Sequence, residues 1–372
     1  MRMRRFYVLA LILLSVVAWG QQVKPDPAQV LKLAQATYEQ GRLHEVPSLL
    51  ANYLEAPKGQ VGFTKEQQRD AHKLLTQTYI YLEEPDLADV HMIKLLKADP
   101  FFEINEAVDP AEFIALYKRF RTKPIFRLGA KFGGNITFPS ITANYYVGAN
   151  STGKGQHAPG AGFQVGLVFE RDLFQQTRFD KNWKQKLAVV GELLYFSRGF
   201  TYTNEELFVS DIDGSAIASQ EGVVSQQWLD FNPLIQYRLK KGRVFEPFVT
   251  LGPGVSYKLN VSNQLKTSIT PVGRSSNSVS GPDVGLDESY ESFVFSVQAG
   301  GGVKLRIGSI FILADARYQY ALTNTINPDK RSNREAVFDY GFQNNDIRQS
   351  NFTVNLGFLW PYFNPKKTSN FR

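Results

Sequence analysis

The 372-residue chain has no cysteine, so neither a disulfide nor a lipid anchor on an N-terminal cysteine is available to it. Histidine is nearly as scarce: His44, His72, His91 and His157 are scattered, without the spacing that metal ligation needs. His91 reads as a helix-surface residue rather than a ligand. No Walker-type loop or zincin motif occurs, and no metal or cofactor is expected. Long apolar runs are absent outside the N-terminus, which excludes a transmembrane helix elsewhere, since a span needs about 20 apolar residues. A strong charge of one sign is missing too. Of 42 Lys and Arg against 35 Asp and Glu, three arginines fall within the first 20 residues, so the remainder carries a surplus of only four. That balance argues against a nucleic-acid partner.

What is present begins with an export signal. Arg2, Arg4 and Arg5 precede the apolar run Phe6 to Val17, which is too short to span a bilayer, and Ala18-Trp19-Gly20 follows. This order is that of a secretory signal peptide over residues 1–20, cut after Gly20. Composition then shifts near Pro124. Leu, Ala, Gln, Glu and Lys dominate before it; Gly, Phe, Tyr, Val, Asn and Ser dominate after it. The expected organisation is a helical domain over 21–121, a β domain over 125–363 and a C-terminal tail over 364–372.

The helical part pairs its helices. Asp26-Pro27 supplies an N-cap and a first-turn proline, Leu31, Ala34 and Tyr38 follow at helical spacing, and Gly41 stops the run. A second helix is expected from Leu43 to Leu54. Thr64-Lys65-Glu66-Gln67 has capping-box spacing, opens a third helix through Leu82, and the chain turns at Glu84-Pro85-Asp86 into a fourth ending at Asp99-Pro100. Asp109-Pro110 opens a last helix presenting Phe113, Ile114, Leu116, Tyr117 and Phe120. Ala71, Leu75, Tyr79, Ala88 and Pro100 stand where a tetratricopeptide repeat keeps its small, large and terminal proline residues, so this segment resembles one repeat, with Ala34, Tyr38 and Gly41 as a weaker copy. The resemblance implies a partner-binding unit, with Phe101 to Phe120 as its third packing layer.

In the β part, period-2 alternation recurs eight times. Phe126, Leu128, Ala130 and Phe132 oppose Arg127, Gly129 and Lys131; Phe163, Val165, Leu167 and Phe169 oppose Gln164 and Glu170. Leu187, Val189, Leu193 and Tyr195 oppose Glu192 and Arg198, with Leu194 and Phe196 as exceptions on the polar face. Leu229, Phe231, Ile235 and Tyr237 oppose Asp230 and Arg238, and Val249, Leu251, Val255 and Tyr257 oppose Glu246 and Lys258. Phe293, Phe295, Val303 and Leu305 oppose Lys304 and Arg306; Ile312, Tyr318 and Tyr320 oppose Asp315 and Arg317; Phe352, Val354, Leu356, Phe358 and Trp360 oppose Thr353 and Asn355. Each run is long enough to cross a bilayer at a tilt, where about 9–11 residues suffice. The connections after strands two, four and six are short or moderate; those after one, three, five and seven are long and polar. A membrane β-barrel has this pattern, with both chain ends on the periplasmic side and long loops outside. A soluble sandwich or barrel would alternate equally well, but the strand lengths, the aromatics near strand ends and the glycines on the polar face favour the membrane.

The expected fold is therefore mainly β: an eight-stranded antiparallel transmembrane barrel with an N-terminal α-helical domain. Eight strands leave a bore that side chains can fill. Charges there must pair, because an unpaired buried charge costs several kcal/mol. The candidate ion-pair residues are Arg127, Lys131, Glu170, Glu192, Arg198, Asp230, Arg238, Lys304, Asp315 and Arg317, with Glu192, Asp230 and Asp315 expected to share one salt-bridged core that blocks permeation. Gly300-Gly301-Gly302 lies within a strand and reads as close backbone approach, not phosphate binding. No histidine falls in an expected strand, so a barrel-rim nucleophile lacks a base and enzyme activity is not expected.

Several strands carry more than alternation. Arg127-Leu128-Gly129-Ala130-Lys131-Phe132-Gly133-Gly134-Asn135, Glu192-Leu193-Leu194-Tyr195-Phe196-Ser197-Arg198-Gly199, Pro247 to Gly254 and Asp315 to Asn324 are similar, in order, to strands of the PorT-like outer-membrane barrel family. That resemblance implies a Bacteroidota-type outer-membrane protein with an eight-stranded barrel. The family includes a type IX secretion and gliding component, which makes secretion one candidate setting. The expected function is a non-enzymatic barrel in outer-membrane lipid that anchors a periplasmic helical domain and docks a protein partner in an envelope assembly. The alternatives are a small-solute channel or ligand-binding barrel, and a passive structural or adhesive surface protein acting through its loops.

Overall fold

The computed structural model describes residues 25–57, 61–145, 155–174, 186–209, 216–240, 242, 244–271 and 277–368. The expected signal peptide lies outside these residues. The chain divides into two compact units, Met1–Lys123 with Phe363–Arg372, and Pro124–Tyr362.

The first unit holds α1 (Pro27–Glu39), α2 (Val46–Leu54), α3 (Lys65–Tyr81), α4 (Pro85–Ala98) and α5 (Ala111–Tyr117). Asp26 caps α1 by accepting from the Ala28 N–H, and Thr64 and Gln67 form both halves of a capping box at α3. The helix expected from Leu43 is instead a 3-10 turn, Leu43–Glu45, followed by α2. Pro47 explains the break, because a residue without an N–H is tolerated only in a helix's first turn. Val30, Ala34, Val46, Leu50, Tyr53, Ala71 and Leu75 form one buried cluster. Met92, Leu95, Leu96, Phe113 and Phe120 form a second, with Phe102, Leu116 and Tyr117 packed against it.

Residues 364–368, set apart above as the start of a tail, and Phe363, assigned above to the β domain, pack within this unit. The Thr368 N–H donates to the Arg119 carbonyl at 2.8 Å, the Arg121 N–H donates to the Lys366 carbonyl at 3.0 Å, and Lys367 pairs with Asp89. Phe363 meets Phe101 edge-on with ring centroids 5.0 Å apart.

His91 is not the free surface residue expected. Its Nδ1 lies 3.1 Å from Nδ1 of His72 on the neighbouring helix, and Tyr79 stacks on its ring. Burial, with Lys94 nearby, pushes both imidazoles down to about 4. A folded value below the ordinary 6.5 means that the unfolded chain takes up protons first as pH falls. The pair's contribution is therefore intact above pH 6.5 and is lost progressively between 6.5 and about 4. In the full chain in detergent, hydrogen exchange of α3 and α4, corrected for intrinsic rate, should accelerate across that window. The His72→Gln/His91→Gln variant should flatten the response; an unchanged slope would show that the pair is not its source.

The second unit is a closed antiparallel barrel. Its eight long strands are β1 (Phe126–Ala143), β2 (Gln156–Asp172), β3 (Leu187–Val209), β4 (Ala216–Arg238), β5 (Phe245–Pro271), β8 (Phe293–Ile307), β9 (Ile310–Ala321) and β10 (Asp346–Tyr362). Two short strands, β6 (Asn277–Ser280) and β7 (Val284–Gly285), pair only with β5. Hydrogen-bonded order runs β4-β3-β2-β1-β10-β9-β8-β5, and β4 pairs with β5 to close the ring. Closure leaves the eight long strands no free edge along the ring. Gly308, at φ +60°, turns the chain between β8 and β9, where Ile307 faces Ile310.

Burial is inverted relative to a soluble barrel. Outward Phe132, Leu167, Phe231, Leu251 and Phe358 are exposed, whereas Lys131, Glu192, Asp230, Arg238 and Lys304 are at most 2% exposed. In water such an apolar belt would be unstable; in lipid it is the favoured surface. Beyond Tyr195, Leu229 and Leu259 the sign reverses. Phe200, Tyr202, Val224 and Leu265 point inward, while Thr203, Ser225 and Gln264 point out.

This reversal corrects two expectations. The long loop after strand three is largely strand, since β3 continues to Val209 and β4 resumes at Ala216. β2 likewise begins at Gln156, so His157 does lie in a strand, with its ring 5.0 Å from that of Tyr202. Both extensions leave the apolar belt, so they lack the outward hydrophobics that marked the other strands.

Candidate functional site

The bore is filled by side chains in three charged layers. At the end carrying the unit's termini, Arg127 of β1, Arg238 of β4 and Lys304 of β8 surround Glu170 and pair with it, Arg238 at 2.9 Å. Asp172 pairs with Arg238 and stands 3.6 Å from Arg127, and Glu246 lies 3.7 Å from Arg238 and 4.0 Å from Arg127. Three cations thus meet three anions.

The next layer holds Lys131, Glu192, Asp315 and Arg317. Arg317 grips Glu192 with two hydrogen bonds of 2.7 Å each, and Lys131 donates to the same carboxylate at 2.9 Å. Asp315 stands 3.1 Å from Arg317 and 3.5 Å from Lys131. The layer is again neutral, two against two. Room for Arg317 comes from Gly300 on β8, where a Cβ would lie 2.5 Å from the arginine's Cγ. The close approach read from the triple-glycine run therefore has an identified neighbour.

A chain of amides extends from this layer. Asn355 donates to Asp315 at 2.9 Å, Gln164 to Asn355 at 2.7 Å and Asn135 to Gln164 at 2.9 Å. Asp230 accepts from Arg198 at 2.9 Å and from Gln319 at 3.3 Å. The structure therefore keeps Asp230 in a layer apart from Glu192 and Asp315, which share theirs. The Arg198 guanidinium lies 5.1 Å from both the Phe196 and Trp228 ring centroids, a cation–π arrangement.

Above Arg198 the bore holds a large apolar cluster. The connection between β9 and β10, residues 322–345, folds into the barrel mouth and carries the short helix α6 (Arg334–Tyr340). Ile326, Ala336, Tyr340 and Phe342 bury themselves against Phe196, Trp228, Leu265 and Leu286. The Tyr340 carbonyl accepts from Gln220 at 2.6 Å and Thr267 at 3.0 Å, tying this plug to β4 and β5. Beneath it remains a cavity of about 10 Å³ lined by Arg198, Trp228 and Gln349, room for about one water. Leu194 and Phe196, the exceptions on the polar face of strand three, form part of the plug's seat.

All ten sequence-derived candidates lie in these layers. Sequence reasoning missed Asp172 and left Glu246 among ordinary polar-face residues. Asp172 was legible, because the spacing Glu170-Arg171-Asp172 continues the inward period by one residue. Lys258, counted on the polar face, forms no ion pair among the described residues; its ammonium donates to the Asp287 and Tyr290 carbonyls. Among the described residues no group of three or more His, Asp or Glu is placed to hold a metal ion.

No curated protein sequence matches the chain. Among solved structures it is similar to Ail, the attachment invasion locus protein of Yersinia pestis, at 12% identity and a TM-score of 0.25, over 64% of this chain and 99% of that one. It is similar to the outer membrane protein OprG of Pseudomonas aeruginosa at 11% identity and a TM-score of 0.29, over 65% and 98%. The outer membrane enzyme PagL matches at 14% identity and a TM-score of 0.21, over 63% and 99%. Residues 123–327, more than half of the chain, match the family described as outer membrane protein beta-barrel domain. The inverted barrel and this match together identify the chain as a member of the outer membrane protein beta-barrel domain family.

Proposed function

We propose that this protein is a closed, non-enzymatic barrel that anchors its helical unit on the periplasmic side of the outer membrane, where that unit docks a protein partner in an envelope assembly. The observation that carries the reading is the bore itself: three neutral charged layers below an apolar plug, with space for about one water between. A barrel so filled is an anchor rather than a conduit. Paired helices with tetratricopeptide-like spacing support a docking role for the helical unit, and the even strand number supports periplasmic termini. The PorT-like motifs make a secretion-linked, Bacteroidota-type assembly the finer placement that we favour.

Two measurements test this. In planar bilayers the full chain should show no large, stable open state; such a channel would overturn the closed-barrel reading and favour solute transport. Crosslinking in intact cells should capture a periplasmic protein through residues 21–121. If deletion of that stretch left every partner attached, the docking role would be lost.

A further inference from the structure

The charged layers of the bore are held in pairs, but the charges around one hollow at the loop end are not. The hollow measures about 860 Å³ and lies between the 3-10 turn Asp287–Ser289 and α6. That size falls within the roughly 300–1,000 Å³ of small-molecule sites. Glu288, Asp329, Glu335 and Asp339 line it together with Lys330 and Arg334. Among the described residues, none of these six side chains has an ion-pair or hydrogen-bond partner. Phe338, on the same wall, is 79% exposed, although Ala336 and Tyr340 on its helix are buried in the plug. Its ring adds nothing to the apolar core.

The chemistry of this lining selects a ligand class. A cationic ligand would meet Lys330 and Arg334, and an anionic one would meet four carboxylates. A neutral polyol satisfies both kinds of group, because each hydroxyl donates and accepts: it can give a hydrogen bond to a carboxylate while taking one from an ammonium or guanidinium. The C–H face of a pyranose ring is also apolar enough to cover an aromatic ring such as Phe338. We propose that this hollow binds a neutral oligosaccharide, with Phe338 as the stacking platform and the flanking carboxylates and cations as hydroxyl partners. The inference does not depend on the helical unit's role or on barrel conductance.

The test uses the full chain in detergent, screened against an array of neutral tetrasaccharides built from glucose, mannose or N-acetylglucosamine, beside sialylated glycans and a lysine-rich peptide. The best neutral binder is then titrated calorimetrically. At least one neutral glycan should bind, with an affinity that changes little between 0.15 and 0.5 M salt, because no net charge is neutralised. Phe338→Ala should weaken it about tenfold or more, and Phe338→Trp should retain it. Should Phe338→Ala fail to fold, Glu335→Ala/Asp339→Ala removes two acceptors outside the plug core and should cost a similar factor. The proposal is overturned if no neutral glycan binds, if only the sialylated glycans or the peptide bind, or if binding survives undiminished in the foldable variants.

Discussion

Glu170→Ala is expected to destabilise the refolded barrel by about 3–5 kcal/mol, the usual cost of removing one partner from a buried ionic cluster. Glu170 is 1% exposed and pairs with Arg127, Arg238 and Lys304 at once. Without it the layer keeps three cations and only Asp172 and Glu246 as anions, inside a bore closed to bulk water. Urea titration in detergent micelles, followed by the loss of the heat-modifiable band on electrophoresis, measures the change. A second variant identifies its origin. Glu170→Ala/Lys304→Met removes one charge of each sign and should recover more than half of the loss, because a neutral layer with an apolar replacement can equal the ionic one. A double variant no better than the single would show that packing at Glu170, not charge balance, sets the stability.

Trp228→Ala should act at the other end of the bore, with a cost of about 3–5 kcal/mol confined to the plug. Trp228 is 1% exposed, and its cluster includes Ile326, Tyr340 and Phe342 of the β9–β10 connection. The indole also faces the Arg198 guanidinium and donates from Nε1 to Gln226 at 2.9 Å. Its removal takes away the largest fully buried side chain described while leaving the two ion-pair layers built on Glu170 and Glu192 untouched. Protease cleavage within 322–345 should rise more than tenfold, and the heat-modifiable barrel should persist. Trp228→Phe should show a smaller change. Equal protection of the connection in Trp228→Ala would mean that backbone ties such as Gln220 to Tyr340, rather than apolar packing, hold the plug.

The barrel was legible because lipid and bore impose opposite demands on alternate residues. A strand such as Phe352 to Trp360 carries that demand at nearly every position, and its polar residues Thr353 and Asn355 told which face was inward. The reading failed where the demand changed sign. In Phe200-Thr201-Tyr202-Thr203 the alternation is as regular as in the belt, but the apolar side is now the inside, and the outward threonines resemble loop residues. Pairing among the interior charges was legible as a necessity but not as a map. Asp230 joins Arg198 rather than Lys131 because strand register, which a single sequence does not contain, sets their heights. The plug was invisible for a similar reason: Ile326, Ala336, Tyr340 and Phe342 have no common period, and only closure over Trp228 gives them a shared purpose. In the helical unit, caps and turns were read from local chemistry, whereas the contact between His72 and His91 depends on how two helices cross.

The segment following β10 has a consequence for biogenesis. Arg121 holds the carbonyl of Asn364, 243 positions further along the chain, and the neighbouring ladder to Lys366 and Thr368 spans nearly the same separation. In chain order the helices precede all eight barrel strands, whereas the segment 363–368 that completes their unit follows them. A chain delivered from its N-terminal side would therefore hold this unit unfinished, its final hydrogen bonds waiting on the barrel sequence. Completion of that unit would report that every barrel strand has arrived.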